Sequence, residues 1–122
     1  MSSLADADLS LLVDEWLEWT EVAALLGVTP AKVRTMVRAH ELADAVPRAG
    51  LGPRVPAAFV DADGLVVKGL PGLLTVLHDG GYDDRECIAW LFTDAGLPGR
   101  PIDALRENRG SEAKRRAQAL GF

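Results

Sequence analysis

The segment LLGVTPAKVRTMVR, Leu25–Arg38, spells out the end of one helix, a tight turn and the start of another. Gly27 can take the left-handed backbone that closes a helix and opens a turn. Thr29 is a good N-cap. Pro30 at the first helical position loses nothing, because the N–H it lacks would have had no helical partner. A helix over Pro30–Ala39 is predicted. At about 100° per residue, Val33, Met36 and Val37 fall on one face. Ala31, Thr35 and Arg38 point the opposite way, with Lys32 and Arg34 on the flanks. The inner face is apolar; the outer face is basic and carries a hydroxyl.

Working outward, Thr20 is expected to cap a preceding helix through EVAALL, with Glu21 favouring the positive end of its dipole. Val22, Ala23, Leu25 and Leu26 give that helix an apolar stripe. A small residue where the helices cross (Ala23), a glycine in the turn (Gly27) and two locking side chains (Val33, Met36) fit a helix-turn-helix. Two short helices on a glycine turn also occur in many other helical proteins. The segment that follows favours the first reading. In ELADAVPRAGLGPRVPAAFV, residues 41–60, Gly50, Gly52 and Pro53 separate two short apolar runs. They predict a hairpin of Leu42–Val46 with Arg54–Phe59, carrying Arg48 and Arg54 near its tip. Pro47 and Pro56 keep its strands short and at an edge. A hairpin directly after a helix-turn-helix is a wing.

The chain has 122 residues, a net charge of −5 and one cysteine, Cys87, so no internal disulfide can form. No apolar run approaches the ~18 residues of a membrane helix. A cytoplasmic protein is expected. The charge is uneven. Residues 1–26 hold six carboxylates and no Lys or Arg, whereas residues 27–55 hold Lys32, Arg34, Arg38, Arg48 and Arg54 against Glu41 and Asp44, and a second basic group lies late, at Arg100, Arg106, Arg109, Lys114, Arg115 and Arg116. Local field decides whether one face can approach phosphate. Double-stranded DNA is therefore the expected partner. The second helix would lie in the major groove, Thr35 and Arg38 pointing most directly outward, Lys32 and Arg34 reaching bases or phosphates. Arg48 and Arg54 would hold phosphates or enter the minor groove. Thr29 and the backbone N–H groups up to Ala31 offer a further phosphate site. Taken singly, each arginine also reads as a solvated surface charge.

The expected class is mainly α: a frayed lead-in over 1–10, with a short helix or strand from residue 11; a winged helix-turn-helix domain over 11–60; and a small helical domain over 61–122. In the last, ADG at 62–64 is a turn. Helices are expected at Leu70–His78, from Asp83 through RECIAWLFT, from Pro101 through IDALREN, and from a Ser111 cap to Leu120. Gly96, Pro98 and Gly99 form a loop between them. Leu74, Leu77, Ile88, Trp90, Leu91 and Phe92 are core candidates. Trp16 and Trp19 either pack the first part against the rest or lie at a dimer contact. His40, His78 and Cys87 stand apart in sequence, and no CxxC, HExxH, GxSxG or phosphate-loop pattern occurs. No catalysis, cofactor or metal site is expected. A homodimer is expected because one short reading helix has a small footprint.

Two longer likenesses add to this. TEVAALLGVTPAKVRTMVRAHEL, 20–42, resembles the winged helix-turn-helix of the MerR and excisionase type, a likeness that covers about residues 19–60. VVKGLPGLLTVLHDGGYDDRECIAWLF, 66–92, looks like the second half of a small actinobacterial DNA-binding family best known from mycobacteria. Together these cover nearly the whole chain. They imply DNA binding, transcription regulation and a helical C-terminal domain, with a longer N-terminal tail in the mycobacterial members than here. AWLFTDAGLPGRPIDALRENRGSEAKRRAQAL, 89–120, also resembles the toxin-binding C-terminal domain of some antitoxins. That alternative implies a protein partner for the C-terminal half.

Overall fold

Glu18 is the last extended residue before the first full helix, with φ −71° and ψ 157°. The computed structural model, which describes residues 4–94 and 99–120, thus starts this helix, α2, at Trp19–Leu26. Thr20, expected as its cap, is already inside it. A Glu three positions past the cap explains the shift: Glu21 Oε1 accepts the Glu18 N–H at 2.9 Å. Gly27 closes α2 with φ +70°, its N–H bonded to the Ala23 carbonyl. Helix α3 follows at Pro30–Arg38, and Thr29 Oγ1 accepts the Lys32 N–H at 3.1 Å. Val22 and Ala23 on α2 and Val33 and Met36 on α3 are buried between the helices and the core.

The expected hairpin is present only in outline. Ala45 and Arg54 form a single antiparallel bridge, with N–H···O distances of 3.0 and 2.9 Å. Residues 46–53 loop beyond it. The next residues, β2 (Val55–Pro56), pair instead with β1 (Trp16–Leu17), Trp16 opposite Pro56 and Leu17 opposite Val55. Prolines at 47, 53 and 56 remove donors from a longer local ladder. The chain's early residues supply the second strand.

Those early residues are not frayed where the structure describes them. Residues 4–6 form a 3₁₀ turn, and Asp8 caps a short helix, α1 (Leu9–Leu12), by accepting the Ser10 N–H. Arg85 Nε donates to the Ala5 carbonyl at 3.1 Å, and its Nη2 donates to that of Ala7. Residues 1–3 lie outside the described residues, as do Gly96 and Pro98 of the predicted loop.

Beyond the wing, Asp61 Oδ1 accepts the N–H groups of Asp63 and Leu65 at 2.9 and 3.0 Å, making the predicted turn. Helices α4 (Leu70–Asp79), α5 (Asp84–Leu91), α6 (Pro101–Arg106) and α7 (Gly110–Gln118) follow. Asp83 caps α5, accepting the Glu86 N–H at 2.8 Å. Ser111 does not cap α7. Asn108, in the left-handed conformation at φ +62°, turns the chain so tightly that α7 starts at Gly110. One apolar core joins both halves, with Leu9, Val22, Val33, Phe59, Leu74, Leu77, Ile88 and Ile102 fully buried. Trp90, Leu91 and Phe92 are buried as expected. Cys87 is fully buried too; burial, with the nearby charges of Asp84, Asp83 and Glu86, pushes its thiol up to about 12. It stays protonated at neutral pH and is a poor nucleophile.

The turn at 61–65 lies against the end of α2. Gly64 has φ +76°, and a Cβ there would meet the Leu25 carbonyl oxygen at 2.7 Å. Gly64→Ala should cost about 1–3 kcal/mol, from left-handed strain plus a backbone clash. Urea unfolding checks this; unchanged stability would contradict the close approach.

Candidate nucleic-acid interface

Helix α3 presents its faces as its sequence demands. Val33 and Met36 are buried and Val37 is half-buried. Ala31, Lys32, Arg34, Thr35 and Arg38 are exposed, together with Thr29 at the cap. Among the described residues no ion pair engages Lys32, Arg34, Arg38 or Arg48. The two hydroxyls differ. Thr35 Oγ1 donates to the Ala31 carbonyl at 3.1 Å, so it turns lone pairs outward as an acceptor. Thr29 Oγ1 accepts from Lys32, so its hydrogen remains to donate.

The wing arginines part company. Arg48 is exposed on the 46–53 loop. Arg54 turns back onto the protein: its Nη2 lies 3.4 Å from Glu18 Oε1, and its Nη1 donates to the Gly52 carbonyl at 3.1 Å. The structure thus gathers Thr29, Lys32, Arg34, Thr35 and Arg38 on one helix face and Arg48 on the loop. Arg54 braces the loop against the cap of α2.

A second brace was not foreseen. Trp19 Nε1 donates to Asp44 Oδ2 at 3.1 Å, tying the first turn of α2 to the segment after α3. Burial, then the neighbouring Asp84 charge, raises the Asp44 carboxyl above its usual range, while the Trp19 bond acts the other way. The only sequence signal was a tryptophan at the start of a short helix. A third grouping brings His40, His78 and Asp84 together, although they stand apart in sequence. Its members are too far apart in sequence to make a spacing motif.

Two family models match the chain in succession. One, described as DNA-binding protein Rv2175c, wHTH domain, covers residues 5–60. The other, described as Rv2175c C-terminal domain of unknown function, covers residues 67–121. The chain belongs to the Rv2175c family. A relative from Mycobacterium tuberculosis named DNA-binding protein Rv2175c is 46% identical over 114 residues, covering 83% of this chain and 77% of the relative. A solved structure titled NMR structure of Rv2175c superposes with a TM-score of 0.76 at 41% identity, covering 88% of this chain and 82% of that one. The expected actinobacterial family, with its winged helix-turn-helix and its own C-terminal part, is therefore the right one. In this Rv2175c-type C-terminal part, the antitoxin-like GRPIDAL stretch turns Pro101, Ile102, Ala104 and Leu105 into the core. Those side chains hold the fold together and are not an open surface.

The Trp19 brace is testable. Trp19→Phe keeps an aromatic side chain but leaves the half-buried Asp44 carboxylate without that donor, and should destabilise by about 1–3 kcal/mol. Asp44→Asn in the same background should recover part of the loss in urea unfolding. Full additivity of the two changes would contradict direct coupling.

Proposed function

We propose that this chain binds double-stranded DNA through the outer face of α3 and acts as a transcription regulator. The observation that carries the reading is a cationic helix face with no ion pair among the described residues, backed by an apolar face clamped in the core. The major groove, about 12 Å wide, admits one α-helix. Thr29 and the N–H groups at the start of α3 would meet a phosphate at the positive end of the helix. Lys32, Arg34, Thr35 and Arg38 would then lie over base edges and the flanking backbone, and Arg48 would hold the neighbouring phosphates. Arg54 would have to leave Glu18 before it could touch DNA, so its part is to position the loop. The name of the M. tuberculosis relative, a DNA-binding protein, supports the same reading.

The acidic remainder of the chain fits this role. Carboxylates over residues 1–26 repel phosphate, which turns it away from the N-terminal segment toward the basic residues 27–55 and lowers indiscriminate binding. One short reading helix covers a small site, so a homodimer on two half-sites is part of the proposal. No helix among the described residues is long and apolar enough to cross a membrane. A cytoplasmic location goes with a DNA partner. The MerR and excisionase likeness of about residues 19–60 is a proposal of the same kind.

Selection from a random duplex pool supplies the site. Arg38→Ala should then weaken binding to it by about 1–3 kcal/mol if Arg38 reads a base. If it holds phosphate only, the loss should be uniform across sequences and the salt slope should fall by about one. Affinity unchanged in Arg38→Ala, or insensitive to salt in the parent chain, would overturn the reading.

A further inference from the structure

His40, His78 and Asp84 meet where three elements converge: the end of α3, the last turn of α4 and the first residue of α5. One nitrogen from each ring and one carboxylate oxygen lie within 4.8 Å of one another. The rings are stacked, with centroids 3.8 Å apart and planes 23° from parallel. His78 Nε2 is 2.8 Å from Asp84 Oδ1. Yet that contact lacks the direction of a ring N–H bond: His78 Nε2 and His40 Nδ1 are both buried without a hydrogen-bond partner among the described residues. Buried polar atoms are nearly always paired, and each exception needs a cause.

A simple histidine–carboxylate pair accounts for the short distance only. It leaves His40 without a role and the poor direction unexplained. Ligands around one metal ion behave differently. Each points at the ion, so they crowd together without pointing at one another. For bonds of about 2.0–2.1 Å in a tetrahedron, neighbouring ligand atoms sit about 3.3 Å apart, so His78 Nε2 and Asp84 Oδ1, at 2.8 Å here, would have to part by about 0.5 Å to share an ion.

Two further features agree. Asp84 Oδ2 accepts the Asp44 backbone N–H at 3.3 Å, which orients the carboxylate and leaves Oδ1 facing the rings. His40 has φ +61°, a left-handed backbone that glycine or asparagine would adopt at lower cost after a helix. Histidine tolerates that backbone, and the turn sets its ring beside His78.

We propose that His40, His78 and Asp84 bind a divalent transition-metal ion of the zinc class. Two imidazole nitrogens and one carboxylate oxygen form three sides of the site, and water completes it. This donor set suits Zn²⁺, Co²⁺ or Ni²⁺; Mg²⁺ and Ca²⁺ prefer oxygen throughout. To converge on the ion the rings must splay out of their stack. His40, on the turn after α3, is the one placed to move. An ion there ties the C-terminal end of α3 to α4 and α5, so occupancy and the setting of α3 are linked. The site stands on its own geometry and is tested without DNA.

The test uses the untagged full chain, stripped with a chelator and titrated with Co²⁺. One ion per chain should bind and give the strong visible absorption of a four- or five-coordinate site, and Zn²⁺ should displace it. Zn²⁺ should also raise Tm in a saturable way, while Mg²⁺ does neither. His78→Gln, Asp84→Asn and His40→Asn, the last compatible with the left-handed backbone, should each weaken binding about tenfold or more. Absence of saturable binding, only the weak spectrum of hydrated Co²⁺, or the parent affinity retained in His78→Gln/Asp84→Asn would overturn the site. The parent chain's spectrum decides the matter even where a variant fails to fold.

Discussion

The packing of α2 against α3 is the constraint on which the rest depends. Ala23 lets the two helices approach closely, and Val33 and Met36 fill the contact. Because side chains on a helix have fixed angular positions, burying Val33 and Met36 leaves Lys32, Arg34, Thr35 and Arg38 no choice but the outer face. The left-handed Gly27 and the Thr29 cap set the angle between the helices. The basic surface is thus a consequence of core packing, not a separate design.

The second half supports that arrangement from behind. The shared core runs from Leu9 on α1 to Ala117 on α7, so the winged part is not a free-standing unit beside an independent neighbour. Arg85 on α5 holds the carbonyls of Ala5 and Ala7, and Arg106 on α6 donates to those of Ala58 and Val60 at 2.8 and 3.0 Å. Arginines from the C-terminal helices thereby satisfy backbone groups of the N-terminal segment and the β2 exit. Trp19 with Asp44, and Arg54 with Glu18, clamp α2 to the segments on either side of the wing. A helix of nine residues in isolation would be marginal; these contacts make α3 a fixed platform.

What could be read from the sequence was what local chemistry determines. The Gly27 turn, the Thr29 cap, Pro30 and the period of Val33 and Met36 all lie within one short stretch, and α3 was predicted to within a residue of its observed end. The end of α4 and the start of α5 were legible for the same reason, from Gly80 and from the Asp83 cap, whereas α5 stops at Leu91, two residues short of the expected Thr93. The rest depends on distant partners. Nothing near residue 55 says that its strand mate is residue 17. The Thr20 and Ser111 caps failed because the residue with extended or turning backbone, Glu18 or Arg109, lay earlier, placed by β1 and by the Asn108 turn. The exposed cations on α3 were predictable from periodicity. The withdrawal of Arg54 and the meeting of His40, His78 and Asp84 were not, because both arise only when separate elements pack.

The most direct trial of this account is an NMR titration of the full chain with a selected duplex, following backbone amides residue by residue. The account predicts that the largest shifts fall on residues 29–38, with a second set on the 46–53 loop, and that they fade as salt is raised. Shifts concentrated on α6 and α7, with the amides of α3 unmoved, would contradict it.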